Sequence, residues 1–199
     1  VQELACDNVL DILALGFDPK KTEILFDFNH MNQDLYNLSI ECSKNISYST
    51  IKAAFGFKPE TNIGIHFYPA MQAAHILYPT VKHGLHVIVP VGFDQDVFIK
   101  LTRDTAKKLN LPKPGALLSK FMPSLQGTSK MSSSSALSAI YTTDSDKEVE
   151  RKIKSAFSGG KDTIEEHRKH GGNPDIDVSF IYLKYLFKEN EKKLQKIYN

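Results

Sequence analysis

The sequence predicts an α/β fold with a parallel sheet over residues 1–140, continued by a helical region over residues 141–199. Three observations carry this reading. Residues 86–91 (HVIVPV) are β-branched and unbroken until Pro90, after which Gly92 turns the chain into an amphipathic segment from Asp94 to Asn110. This is the order strand, tight turn, helix. Residues 22–28 (TEILFDF) form a second short apolar run behind an Asp18-Pro19 turn, as a buried strand does. From Asp144 onward, DKEVERKIKSAF, TIEEHRKH and DVSFIYLKYLFKENEKKLQKIY keep helical periodicity, interrupted at Gly159-Gly160 and Gly171-Gly172.

The remaining elements come in chain order. Apolar Leu4, Val9, Ile12 and Leu13 with a stop at Gly16 predict an opening helix. The chain begins Val-Gln-Glu-Leu, with no initiator Met, basic region or signal-type stretch, so residues upstream of Val1 are expected. Residues 31–58 read as helix or loop. Pro69 is expected to open a largely buried helix through Ala70, Met71, Gln72, Ala73, Ala74, His75, Ile76 and Leu77. ALLSKFM at 116–122 reads as a further strand, and a loop rich in Ser, Gly and Thr extends from Pro123 to about Ser138. A domain boundary is expected near residue 140.

Composition narrows the classes. With 199 residues, 41% hydrophobic, 24% charged, eleven Gly and nine Pro, the chain can bury a core and is neither collagen-like nor largely disordered. Twenty-five basic against twenty-three acidic residues leave a net charge of +2, which argues neither for nor against a nucleic-acid partner. Cys6 and Cys42 have no metal-ligand or disulfide-framework spacing, which fits a reducing, cytoplasmic setting. The longest apolar run, Val87 to Val91, suits a buried strand and not a bilayer span.

Two constellations carry chemistry. PVGFDQD, residues 90–96, stands at the carboxyl end of a predicted strand. There Gly92 lets a ligand approach the backbone, Asp94 and Gln95 open a helix, and the helix N-terminus offers unpaired amides. Taken alone, the same residues also describe a turn glycine and an N-cap aspartate. SKMSSS, residues 129–134, places one cation among small hydroxyl donors in a polar loop, a sensible clamp for phosphates, although Ser-rich linkers share the composition.

In this order and at this separation the two motifs resemble the GxDQ and KMSKS signatures of class I aminoacyl-tRNA synthetases. YPAMQAAHIL (Tyr68 to Leu77), DQDVFIKLTRD (Asp94 to Asp104) and AFSGGKDTIEEHRKHGGNPDIDVSFIYL (Ala156 to Leu183) are similar to the tryptophanyl enzymes of the eukaryotic and archaeal type. The resemblance implies the C-terminal half of a Rossmann-like nucleotide-binding fold with the start of a helical anticodon-binding domain after it. It implies tryptophan activation by ATP to tryptophanyl adenylate and transfer to tRNA(Trp). It places Lys130, Ser132 and Ser133 in catalysis, and Gly92, Asp94, Gln95, Lys130, Met131 and Ser132 on ATP. Gln72, Gln95, Tyr68 and Val91 are placed around tryptophan. Magnesium would accompany ATP as its phosphate complex, with no metal-binding protein residue and no tightly bound cofactor. A homodimer is implied for the full-length enzyme, without a membrane partner.

The departures are as informative. His83-Gly84-Leu85-His86 resembles the HIGH signature, yet it precedes the strand it should follow, so it reads as surface loop. The genuine first signature and the partner of the indole nitrogen are not found in these residues, so a noncatalytic synthetase-like binding protein stays open as an alternative. A tyrosyl enzyme is the other. Tyrosyl enzymes resembling this chain place an Asp where His75 stands, and His75 cannot supply that carboxylate. Lys192, Lys193 and Lys196 read as a solvated face or as tRNA phosphate contacts.

Overall fold

The computed structural model describes residues 2–27, 31–127, 131, 135–186 and 190–198. They form two compact units, Val1–Lys120 and Phe121–Asn199.

The first unit opens with α1 (Gln2–Ala14), which ends before Gly16 at φ +97° and buries no side chain. Residues 22–26 have no regular structure, a correction to the predicted strand. A strand is defined by its ladder, and among the described residues this run has none. Ion pairs to a helix fix it instead. Then come α2 (Gln33–Lys44), capped where Asn32 Oδ1 accepts from Leu35 N at 2.9 Å, and α3 (Tyr48–Phe55), capped by Ser47 and stopped at Gly56.

The long helix α4 (Ile63–His83) starts six residues earlier than predicted. Asn62 Oδ1 accepts from Ile65 N at 3.1 Å and sets the start, so Pro69 lies inside the helix together with Pro79. Each proline removes one helical donor. The carbonyls affected belong to Ile65 and His75, neither of which is buried. Gly84, at φ +67°, ends α4, and its N–H donates to Thr80 O at 2.9 Å. The His-Gly-Leu-His tetrad is therefore a helix end and loop.

Next, β1 (Ile88–Gly92), a 3-10 turn (Phe93–Gln95), α5 (Asp96–Lys108) and β2 (Gly115–Ser119) form a parallel β-α-β unit. Ile88 pairs with Gly115 and Gly92 with Ser119. A parallel pair needs a crossover, and α5 supplies it. Arg103 Nε donates to Pro114 O at 2.8 Å and ties the crossover helix to the entry of β2.

The core sits where α2 and α5 meet α4. Leu35, Leu38 and Cys42 pack with Ala70, Ala73, Ala74, Leu77 and Ala106. The alanines leave room for close helix approach, while Leu35 and Leu77 are almost completely buried. Each of these leucines contributes about 1.5–3 kcal/mol by leaving water. Asn32 Nδ2 donates to Tyr78 Oη at 2.8 Å, so a capping residue also satisfies a phenol of the buried core.

The second unit contains α6 (Asp146–Lys154), α7 (Ile164–His170), α8 (Val178–Leu186) and α9 (Glu191–Tyr198). Ser145 and Glu148 form a reciprocal capping box at α6. The compositional change expected as a boundary near residue 140 falls inside this unit, because the stretch before it is bonded to the helical stretch after it. Leu125 N donates to Ser138 O, Phe157 N to Leu125 O at 2.7 Å, and Tyr182 Oη to Pro123 O at 2.7 Å. Val178 N in turn donates to Phe157 O at 3.2 Å. No described helix is long and apolar enough to cross a membrane.

Candidate functional site

The site is built on one stripe of α4. Tyr68, Gln72, His75, Pro79 and Lys82 recur at alternating spacings of four and three, which align on one helix face. The first half of the stripe faces the start of α5. Tyr68 meets Phe98 edge-on at 5.8 Å and 88°, and Gln72 Nε2 donates to Gln95 Oε1 at 3.1 Å. Gln95 and Phe98 are three apart, so the amide pair and the aromatic pair form two successive rungs.

The second half of the stripe faces residues 22–27. His75 Nε2 lies 2.7 Å from Asp27 Oδ1, Lys82 Nζ donates to Glu23 Oε1 at 2.9 Å, and His83 Nε2 lies 3.5 Å from Glu23 Oε2. Seven residues of helix rise about 10 Å, and four extended residues span about 13 Å, so the segment fits antiparallel along α4. The hydrogen bond from Lys82 holds the Glu23 carboxyl below its ordinary range, and the same bond raises the Lys82 ammonium.

The turn beyond β1 supplies backbone donors. Gly92 precedes the 3-10 turn with extended backbone, and neither Gly92 nor Gln95, the N-cap residues of that turn and of α5, makes a side-chain cap bond. Asp96, in the first turn of α5, pairs with Lys100 at 2.6 Å. Asp94 is exposed on the 3-10 turn.

Two buried side-chain atoms lack a hydrogen-bonding partner among the described residues, His66 Nδ1 and Gln72 Oε1, and the second belongs to this stripe. A buried, unpaired amide oxygen costs about 1–3 kcal/mol until a donor reaches it. The geometry is suited to a small cationic or N–H donor beside the Gln72–Gln95 pair.

Among the residues singled out from sequence, the structure brings Gln72 and Gln95 together and sets Tyr68 one turn before Gln72. Gly92, Asp94 and Gln95 succeed one another at the sheet edge, as the sequence predicts. Val91 lines a shallow cavity with Pro90, Leu117, Leu118 and Ser119, and Ser119 Oγ donates to its carbonyl at 3.3 Å. Met131 lies in the second unit, half-buried, its N–H donating to Met122 O at 3.5 Å. Lys130, Ser132 and Ser133 lie outside the described residues. Sequence reasoning missed Phe98 and Asp27. The three-residue spacing from Gln95 could have pointed to Phe98, whereas Asp27 stands 48 positions from His75 and no local pattern connects them.

Comparison with known proteins shows the family. The family profile described as "tRNA synthetases class I (W and Y)" matches residues 1–199. A tryptophan–tRNA ligase of Sulfurisphaera tokodaii is 46% identical over 198 residues, covering 98% of this chain and 51% of the relative. The tryptophanyl-tRNA synthetase of Giardia lamblia superposes with a TM-score of 0.85 at 33% identity, over 98% of this chain and 56% of that one. A tyrosyl-tRNA synthetase of Aeropyrum pernix superposes with a TM-score of 0.61 at 29% identity, over 78% of this chain and 42% of that one. The chain spans about half the length of the curated relatives it matches.

Proposed function

Because this chain belongs to the class I tRNA synthetases of the tryptophan and tyrosine group, we propose that the protein carrying it is a tryptophan–tRNA ligase. The observation that carries the reading is the Gln72–Gln95 pair beside the glycine turn of β1, with Gln72 Oε1 awaiting a donor. An α-ammonium group of an amino acid is such a donor. The tryptophan-specific relatives, at 46% and 33% identity, support tryptophan as that amino acid.

In the proposed reaction a carboxylate oxygen of tryptophan attacks the α-phosphorus of ATP. The new bond joins that oxygen to phosphorus, the bond to the bridging oxygen of the β-phosphate breaks, and pyrophosphate leaves. A hydroxyl of the terminal tRNA ribose then attacks the activated carbonyl and AMP departs. No enzyme nucleophile is required. Gln72 and Gln95 orient the amino acid, Gly92 admits the nucleotide close to the backbone, and Asp94 takes the ribose side. Tyr68 and Val91 are assigned to the apolar walls. Lys130, Met131, Ser132 and Ser133 are assigned to the phosphates, where Lys130 offsets charge developing on the leaving group. Magnesium belongs in this reading to phosphate oxygens and water. A cytoplasmic homodimer acting on tRNA(Trp) completes the proposal.

The test is amino-acid-dependent exchange of pyrophosphate into ATP by the protein that carries this chain. Tryptophan should support exchange and tyrosine should not; exchange with tyrosine alone would overturn the choice of substrate. In Lys130→Ala, adenylate formation should slow far more than tryptophan binding weakens, because the lysine acts on the transition state.

A further inference from the structure

His75 occupies a junction. Three positions before it on the same helix face, Gln72 reaches the turn into α5, and at His75 itself the stripe passes to residues 22–27. Its ring nitrogens both meet acceptors: Nδ1 lies 2.7 Å from Met71 O, and Nε2 lies 2.7 Å from Asp27 Oδ1. Both contacts are within hydrogen-bonding distance. One of those bonds grips the peptide carbonyl immediately before Gln72. The other fixes Asp27, and with it the neighbouring segment, against the helix.

Stability is a poor account of this pair. The His75 and Asp27 side chains are 34% and 58% exposed, and pairs this open to water contribute little to stability. The buried core of α2, α4 and α5 holds the unit together without them. Position is what the Nε2 bond determines: it holds Asp27, and the segment that ends with it, beside the helix turn that runs from Gln72 to His75.

We infer that His75 and Asp27 are a positioning pair for the amino-acid subsite, fixing the segment beside the turn from Gln72 to His75 and so setting the affinity for the amino acid, with no direct contact to ATP. The inference rests on the ligase reading and deepens it.

The test uses the difference in reach between two amides. Glutamine places its side-chain nitrogen near the position of imidazole Nε2, so His75→Gln keeps the donor to Asp27. Asparagine places its nitrogen near Nδ1, so His75→Asn keeps only the donor to Met71 O. In steady-state pyrophosphate exchange with the complete protein, His75→Asn and Asp27→Ala should each raise KM for tryptophan about tenfold. KM for ATP should stay within about twofold, and the melting temperature should hardly change. His75→Gln should remain within about twofold of the unsubstituted protein in both KM values. An unchanged KM for tryptophan in His75→Asn and Asp27→Ala would overturn the inference, as would losses for both substrates that track a fall in melting temperature. If the unsubstituted protein shows no tryptophan-dependent exchange, the ligase reading falls first and takes the positioning role with it.

Discussion

Gln72 Nε2 donates to Gln95 Oε1 at 3.1 Å and thereby joins α4 to the turn that leaves β1. The bond connects two stretches 23 residues apart and leaves Gln72 Oε1 as a buried acceptor. Gln72→Ala or Gln95→Ala should lower kcat/KM for tryptophan roughly 10- to 100-fold, equivalent to about 1.5–3 kcal/mol for a hydrogen bond to a charged group. The double variant should lose less than the product of the two, because each single change already breaks the shared bond. Additive losses would show that the two amides act separately.

Lys152 is a deeply buried cation of the second unit, only 4% exposed, and its ammonium donates to Asp144 Oδ2 and to Ala139 O at 3.0 Å. It also lies 4.6 Å from the centre of the Tyr141 ring. Lys152→Met should lower the melting temperature on the order of 5 °C or more, because Asp144 would lose its counter-ion in a site nearly closed to water. Retention of the full melting temperature would show that the methionine side chain replaces the pair by packing alone.

The same pair sets an acid dependence. The bond from Lys152, with a smaller effect from that of Tyr141 N, holds the Asp144 carboxyl below its ordinary value of 3.8. A carboxyl lowered on folding stabilises the native state at pH above its unfolded pKa, and this contribution disappears as pH falls through the lower folded value. Melting temperatures recorded from about pH 6 to pH 2 should therefore fall less steeply in Asp144→Asn than in the unsubstituted protein. Parallel curves would remove Asp144 from the acid response.

Gly159 and Gly171 test two different reasons for glycine. A Cβ on Gly159 would stand 1.9 Å from Asn173 O, and the backbone there is pinned by Asn173 N to Gly159 O at 2.7 Å and by Gly159 N to Asp177 Oδ2 at 3.0 Å. Gly171 has φ +70° but open space around its Cβ position. Gly171→Ala should cost about 1–3 kcal/mol of backbone strain, because φ +70° with ψ 178° is a conformation essentially reserved for glycine, whereas Gly159→Ala should cost more than that, since backbone must move. Chemical denaturation of both variants checks the order, and equal costs would refute the steric account.

The cysteines should differ in reactivity. Cys42 is completely buried, and burial, with a smaller effect from the Glu41 carboxylate, pushes its thiol up to about 11. Cys6 is exposed on α1. At pH 8 iodoacetamide should modify Cys6 in the native protein and reach Cys42 only after unfolding, as read by mass spectrometry. Native labelling of Cys42 would mean that the α2–α4 core opens.

The sequence alone determined those elements whose signals are local. The strand at HVIVPV, the crossover helix after Asp94, the helices beyond residue 144 and the stop at Gly16 all rest on periodicity, branching or a left-handed turn within a few residues. Gln72 and Gln95 each sit in a recognisable stretch, but their pairing across 23 residues is a product of the fold. Tertiary structure decided what depends on partners distant in the chain. Residues 22–26 have the apolar composition of a strand, but a strand requires a ladder, and ion pairs from Glu23 and Asp27 to α4 fix the segment instead. Asn62 outweighed Pro69 as the start of α4 because a cap bond satisfies a donor that the proline cannot replace. His75 shows the same division: its identity is written in the sequence, whereas its partnership with Asp27 exists only because folding brings residues 48 positions apart to 2.7 Å.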